Sequence, residues 1–390
     1  MLRKSHLVAA SAFAGSLLAG DVAAQDTVKI GLVMPLTGVL GPVGKQAVAG
    51  ARLYMARHGD MIAGRKIELI VRDDASLPDN SKRITQELIV SDKVAILGGG
   101  LTPNVLAIAP LVNESQTATV VMVSGTSIVT ERSPYFVRTS WTHAQQASVL
   151  ANWAAKNGSK RATIIASDWA PGHEASGVFS ATFTQAGGAV VETLKVPLAN
   201  PDFAPFLQRA RDGNPDTLFI FVPASQAAVL AKQFVERGLD KSGIKLIGPG
   251  DIADDEDLPG MSDAMIGTVT AGFYSAHHAS AMNKEYVAAF QKANAGVRPN
   301  FISVSAYDGM HLIYEALKKT EGKTDGPGLV EAMKGMAWES PRGPMSIDPK
   351  TRDVVQDIYI RRVEKVEGAL YSVEFETFKA VNDPTKLANK

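Results

Sequence analysis

The chain of 390 residues contains no cysteine. That excludes both a disulfide and the lipid-bearing cysteine of a lipoprotein. It also lacks an excess of either charge: Lys+Arg and Asp+Glu number 40 each, and no basic run stands out. A nucleic-acid footprint is therefore not expected. No apolar run reaches the ~20 residues that a membrane-spanning helix needs. GxSxG, P-loop and HExxH motifs do not occur either, so the common hydrolase, nucleotide and zinc signatures are missing. What remains is a chain that is 45% hydrophobic and 21% charged, able to build real cores. Its length makes two domains the natural expectation.

The first stretch, MLRKSHLVAASAFAGSLLAGDVAAQD, has Arg3 and Lys4, then an apolar run of small residues from Leu7 to Gly20. It closes on Val22-Ala23-Ala24, the pattern of a secretory signal peptide cut after Ala24. A periplasmic protein without disulfides is expected, held together by its cores alone.

From Thr27 onward, strand and helix signals alternate. TVKIGLVM runs into a loop holding Pro35, Gly38, Gly41, Pro42 and Gly44, and then into an Ala-rich helix. Strands are expected over 66–74, 94–100, 118–127, 161–168, 189–198, 217–223 and 245–250. Helices are expected over 80–90, 103–112, 145–156 and 174–186, and near 282–294, 304–319 and 326–335. Two βαβ runs in succession predict an α/β fold of two doubly wound lobes with parallel sheets. The tail differs: Ile358 and Ile360 alternate with Asp357, Tyr359 and Arg361, as in an antiparallel edge hairpin turning at Glu367-Gly368.

Each chemical motif has a plainer reading beside it. Gly248-Pro249-Gly250-Asp251-Ile252-Ala253 matches G-x-G-x-x-A, but an acidic, turn-like stretch follows where a dinucleotide site requires a helix. His277-His278 lacks ligand-spaced neighbours and reads as a surface pair. Asp73-Asp74 reads as a strand-end pair facing solvent. More informative are three loops that follow strands and end in small, hydrogen-bonding residues. They are the opening glycine-rich loop, Gly98-Gly99-Gly100-Leu101-Thr102, and Ser124-Gly125-Thr126-Ser127. Backbone N–H groups at helix starts, with hydroxyls beside them, make a seat for a carboxylate. Such loops lie at the carboxyl ends of strands, where open α/β sheets bind ligands.

With these pieces in order, the sequence resembles the periplasmic ligand-binding proteins of ABC importers, in the leucine/isoleucine/valine-binding group with the type I fold. KIGLVMPLTGVLGPVG, IELIVRDDASLPDNSKRITQELI, VAILGGGLTPNVLAIAPL, VMVSGTSIVTERSPYFVRT, SDWAPGHEASGVF, NPDFAPFLQRARDGNPDTLFIF, IGPG and SVSAYDGMHLIYEALKK carry the likeness through nearly the whole mature chain. The resemblance implies two lobes joined by three hinge crossings, near Thr142, Ser275 and Arg342. One lobe would take 26–143 and 276–342, the other 144–275 and 343–390. It implies a ligand carboxylate held by Thr102 and Asn104 from one loop and by Thr126 and Ser127, beside Ser124, from the next. The second lobe would contribute Trp169 to Gly172, the helix start at Ala224, and Gly250-Asp251. A small-molecule carboxylate and the permease subunits are the implied partners, with no cofactor, no metal, no nucleic acid and no chemical step. A monomer that is not embedded in the membrane is expected.

The chain departs from that pattern. Pro171 stands where the group commonly has tyrosine, Pro223-Ala224 where an aromatic often follows, and Gly250 where an acid holds the amino group, with Asp251 one residue later. Trp169, Phe273 and Tyr274 could line an aromatic pocket instead. If Asp251 reaches the cleft, branched-chain amino acids fit. If it points to solvent with the acidic run 254–257, an aromatic or aliphatic acid without an amino group fits better, and that is the expectation adopted. An exported enzyme on the same scaffold and a periplasmic sensor remain as alternatives.

Overall fold

The computed structural model describes residues 27–199 and 201–387. The signal-peptide reading lies outside them. No helix among the described residues is long and apolar enough to cross a membrane.

The chain begins with β1 (Thr27–Met34), α1 (Gly41–His58), β2 (Met61–Ile62), β3 (Arg65–Asp73) and α2 (Pro78–Val90). It continues through β4 (Ile96–Gly99), α3 (Thr102–Ser115), β5 (Ala118–Val121) and β6 (Phe136–Arg138). Among the described residues these strands form a six-stranded sheet in the order β2-β3-β1-β4-β5-β6. All neighbours pair in parallel except the β2–β3 hairpin. The chain leaves β1 to one side, to β3, and returns on the other side at β4. The crevice beyond β1 and β4 is thus a topological switch point.

The second run is α4 (His143–Lys156), β7 (Arg161–Ser167), α5 (Ala170–Gln185), β8 (Ala189–Val196), α6 (Ala204–Asp212) and β9 (Thr217–Phe221). It ends with α7 (Ala224–Glu236), β10 (Lys245–Pro249) and β11 (Val269–Gly272). Three helices follow, α8 (Ala281–Ala293), α9 (Phe301–Lys319) and α10 (Gly326–Met333), and then β12 (Ala337–Ser340), β13 (Gly343–Ile347), β14 (Val354–Val366), β15 (Ala369–Val381) and α11 (Pro384–Leu387). The larger sheet runs β12-β13-β14-β11-β10-β9-β7-β8, with β15 on β14. Its switch point lies between β7 and β9, beyond Ser167 and Phe221.

Helices α8 and α9 return to α1. Gly50 of α1 lies so close to α9 that a Cβ there would collide with the Ser303 carbonyl, and Tyr54 packs edge-on against Tyr307 and Tyr314. Strands β12 and β13 hydrogen-bond into the larger sheet through β14. Trp338 and Ser340 nevertheless donate to Asp308 of α9.

The loop after β1 now has a physical account. Gly38 has φ 75, a conformation glycine adopts without cost. A Cβ on Gly44 would collide with the Pro35 carbonyl, so α1 tucks against its own approach loop. Asp73 holds the loop from the end of β3, accepting hydrogen bonds from Leu36 N at 2.8 Å and Thr37 Oγ1 at 2.7 Å.

Several expectations need correction. Asp74 is fully buried, not solvent-facing, because Ser81 Oγ and Asn104 Nδ2 both donate to its carboxylate. The hairpin does turn at Glu367-Gly368 and is antiparallel, with β15 as its edge strand; β14 is the inner strand, paired with β13 and β11 on its other side. The polar members of its alternation are buried too, and Arg361 donates to Thr270 Oγ1 and the Tyr274 carbonyl. His278 is half-buried and lies 2.7 Å from Glu374; burial lowers its pKa, but Glu374, with Glu339 and Asp357 adding, raises it overall, while His277 is exposed. In the acidic run, Asp254 and Asp255 are buried. Asn300 Nδ2 reaches both Asp254 oxygens, at 3.2 and 3.0 Å.

Candidate ligand-binding site

The carboxyl ends of both sheets supply the loops of interest. Thr102 is the first residue of α3 and does not cap it. Its Oγ1 lies 2.6 Å from Ser124 Oγ and 3.2 Å from Thr126 Oγ1, a chain of three hydroxyls. The loop 124–127 is shaped from behind by Arg138, whose side chain is fully buried. The guanidinium donates to the carbonyls of Ser124 (3.3 Å), Trp141 (2.9 Å) and Thr126 (2.7 Å) and pairs with Asp353 at 2.9 Å. With the Ser124 and Thr126 carbonyls held by Arg138, the loop's hydroxyls and N–H groups are left for other partners.

One of those N–H groups is taken. Ser127 N donates at 2.9 Å to Glu174 Oε1 on α5, a carboxylate that sequence reasoning missed. Burial raises the Glu174 pKa, against the opposing hydrogen bonds from Ser127. The Ser127 hydroxyl also bears on that carboxylate and is enclosed with it.

On the second sheet, Trp169 precedes α5 with its indole Nε1 enclosed and unpaired among the described residues. Gly172 has no room for a side chain, since a Cβ would collide with the Ser167 carbonyl. Ala224 opens α7 directly after the end of β9. Gly250 donates to Gln146 Oε1 at 2.8 Å, and a Cβ there would lie 2.5 Å from Arg361 Nη2.

The structure does not bring every expected residue to this site. Asn104 Nδ2 is committed to Asp74 (2.8 Å) and Ser81 (2.7 Å), so Asn104 braces α3 against α2. Tyr274 is fully buried with its ring 6.4 Å from Tyr286, among Asp255, Glu374 and Arg298. Asp251 is half-buried, with one carboxyl oxygen enclosed without a partner among the described residues. Burial pushes its pKa up to about 6, with its own backbone N–H and Arg361 opposing.

Two further residues belong here. Trp141 and His143 flank the first passage between the sheets and are buried. Trp141 stacks on Phe273 at 5.6 Å and meets Phe301 edge-on at 4.9 Å. His143 starts α4, and its ring stands perpendicular to Phe221 at 5.1 Å. Burial, with Arg138 adding, holds its pKa down to about 3. The signal was present: two aromatic side chains flank Thr142, where a crossing was expected.

Residues 27–368 match the family model described as "Periplasmic binding protein". The chain belongs to the periplasmic binding protein family. This periplasmic binding protein is 40% identical over 382 residues to Leu/Ile/Val-binding protein homolog 6 of Brucella suis, covering 97% of its own length and 98% of the relative's. A solute binding protein of an ABC transporter from Rhodopseudomonas palustris BisB5, solved in complex with 3,4-dihydroxybenzoic acid, is 59% identical with a TM-score of 0.88, over 93% of this chain and 99% of that one. Another, from R. palustris HaA2 and in complex with p-hydroxybenzoic acid, is 40% identical with a TM-score of 0.88, over 94% and 100%. The two-lobed type I fold of the family agrees with the α/β architecture expected from the βαβ alternation.

Proposed function

We propose that the protein is the periplasmic ligand-binding component of an ABC importer and that its ligand is a benzoate-type aromatic acid. The observation that carries this reading is the exchange of side chains around the cleft. The positions that clamp an amino acid in the resembling group hold Pro171, Ala224 and Gly250, while the Trp141 indole and the His143 imidazole lie against Gly125 of the hydroxyl loop, with the Phe221 ring packed on His143. Thr102, Ser124, Thr126 and Ser127 form one wall. Trp169, Gly172, Ala224, Gly250 and Asp251 form the other.

The lobes comprise 26–143 with 276–342, and 144–275 with 343–390, and close about crossings near Thr142, Ser275 and Arg342. Ligand binding favours the closed form, which the permease then recognises. The protein performs no chemical step and reaches the periplasm by losing residues 1–24. The two R. palustris relatives support an aromatic acid. A fold alone would not, because ligand choice lives in the site.

The second reading, a branched-chain amino acid, has the enclosed carboxyl of Asp251 and the name of the Brucella relative in its favour. A thermal-shift screen separates the two. A ligand at about 100 times its dissociation constant stabilises by ~2.7 kcal/mol. 4-Hydroxybenzoate, 3,4-dihydroxybenzoate or benzoate should raise Tm, whereas leucine, isoleucine and valine should not. The reverse result would overturn the proposal.

A further inference from the structure

We infer that Lys386, in α11, is a positioning residue for the loop 124–127. By holding one oxygen of Asp353, it keeps the Arg138 guanidinium free to fasten that loop's carbonyls. The inference rests on the reading that the loop forms one wall of the ligand cleft.

Strand β15 lies on the larger sheet, but the tail that follows it does not stay there. It reaches the 3-10 turn Ser127–Glu131, which directly continues the loop. The Lys386 side chain is only 7% exposed. Its Nζ donates to Thr130 Oγ1 at 2.6 Å and to Asp353 Oδ2, with Glu131 at 4.0 Å. Thr130 Oγ1 in turn donates to the same Asp353 oxygen at 3.1 Å.

Arg138 divides its N–H groups between two tasks. Its Nε faces Asp353 Oδ1 at 2.9 Å. Its Nη1 donates to the Ser124 and Trp141 carbonyls at 3.3 and 2.9 Å. Its Nη2 donates to the Thr126 carbonyl at 2.7 Å and reaches that of Ser127 at 3.4 Å. A guanidinium and a carboxylate favour two parallel hydrogen bonds, and the edge bearing Nε and Nη2 would offer Asp353 such a fork. Lys386 and Thr130 prevent it by occupying Oδ2. Without Lys386, that oxygen of the buried Asp353 keeps only a hydroxyl. A buried charge short of partners is costly, so the carboxylate turns toward Nη2 and the Thr126 carbonyl loses its donor. Thr126 is also the residue whose hydroxyl meets Thr102 at 3.2 Å. The tail thus sets the shape of the hydroxyl wall through two intervening charges.

The test compares wild type with Lys386→Met, which keeps the length of the side chain and removes its charge, and with Lys386→Arg, which keeps the charge. The first readout is the set of backbone carbonyl carbon resonances, which move upfield when a hydrogen bond to the oxygen is lost. In Lys386→Met the Thr126 resonance should move while those of Ser124 and Trp141, held by Nη1, stay in place. In Lys386→Arg all three should stay. An unmoved Thr126 resonance in the methionine variant would show that Lys386 serves only the tail. Movement of all three together, or the same movement in the arginine variant, would show a merely structural role. The second readout is calorimetry with 4-hydroxybenzoate and with L-leucine. The loop's lost charge-assisted hydrogen bond should weaken whichever compound binds wild type by about tenfold in Lys386→Met. Wild-type affinity in that variant would overturn the positioning role. A wild type that binds leucine alone would remove the aromatic-acid reading and leave the role of Lys386 to the same two readouts. If neither compound binds wild type, that reading falls and the Thr126 resonance decides the role of Lys386.

Discussion

At the scale of residues, the cleft is built from groups whose partners differ from those their sequence neighbours advertise. Thr102 stands at a helix start, yet its hydroxyl goes sideways to Ser124 and Thr126 rather than to the helix. Thr102→Val therefore removes the middle of a hydroxyl chain while keeping the shape. A neutral hydrogen bond is worth about 1 kcal/mol net, so Tm should fall by a few degrees and affinity for 4-hydroxybenzoate by less than about tenfold. Calorimetry showing a hundredfold loss would mean that Thr102 itself meets the carboxylate. Charge was the least legible feature. Asp254-Asp255 reads as a solvated run, but burial raises Asp254 well above the usual carboxylate range and Asp255 to about 7. These acids bind protons more tightly folded than unfolded. Their stabilisation is fully present below the unfolded value near 3.9 and is lost as pH rises through the folded values. Between pH 8 and 7, where His143, held neutral in the fold, is still mostly unprotonated in the unfolded chain too, Tm should rise as pH falls. Asp255→Asn should flatten that slope, and an unchanged slope would place the titration elsewhere.

At the scale of elements, the apolar strands and Ala-rich helices were readable because their periods are simple. What escaped were short or unpatterned pieces. β6 has three residues and β11 four, too few to show a period. The expected strand over 118–127 stops at Val121, since the guanidinium of Arg138 captures the following carbonyls. The glycine-rich loop after β1 was legible as a loop but not as one pinned from β3. Hydrogen bonds from Leu36 N first, and then Thr37, hold the Asp73 carboxyl below its ordinary pKa. Asp73→Ala should speed hydrogen exchange at Leu36 and Thr37 while leaving the strands protected. If exchange there stays slow, the loop is held by the Gly44 contact alone.

At the scale of the whole molecule, the passages between the sheets are tied together rather than left as three independent strings. Buried Arg342 donates to the carbonyls of Thr139 (2.6 Å) and Ser140 (3.3 Å) on the first passage. It also donates to Gln356 Oε1 (3.0 Å) on β14 and pairs with Asp308 of α9 at 2.8 Å. The second passage is anchored by Ser275 Oγ, which donates to the Ser372 carbonyl at 2.7 Å. A knot of this kind restricts motion to a bend about one line, so closure should move two stiff bodies without reshaping either. The sequence resemblance pointed to Arg342 as a crossing but not to its bonds with the other segments, of which those to Thr139 and Ser140 join residues more than 200 positions apart. Small-angle scattering should give a smaller radius of gyration with saturating 4-hydroxybenzoate than without it. Arg342→Met strands the buried Asp308 carboxylate, and breaking such a pair costs about 3–5 kcal/mol. The variant should therefore melt well below wild type even with ligand present. If it melts with wild type while the radius still contracts, the bend does not depend on the knot, and the passages act as separate hinges.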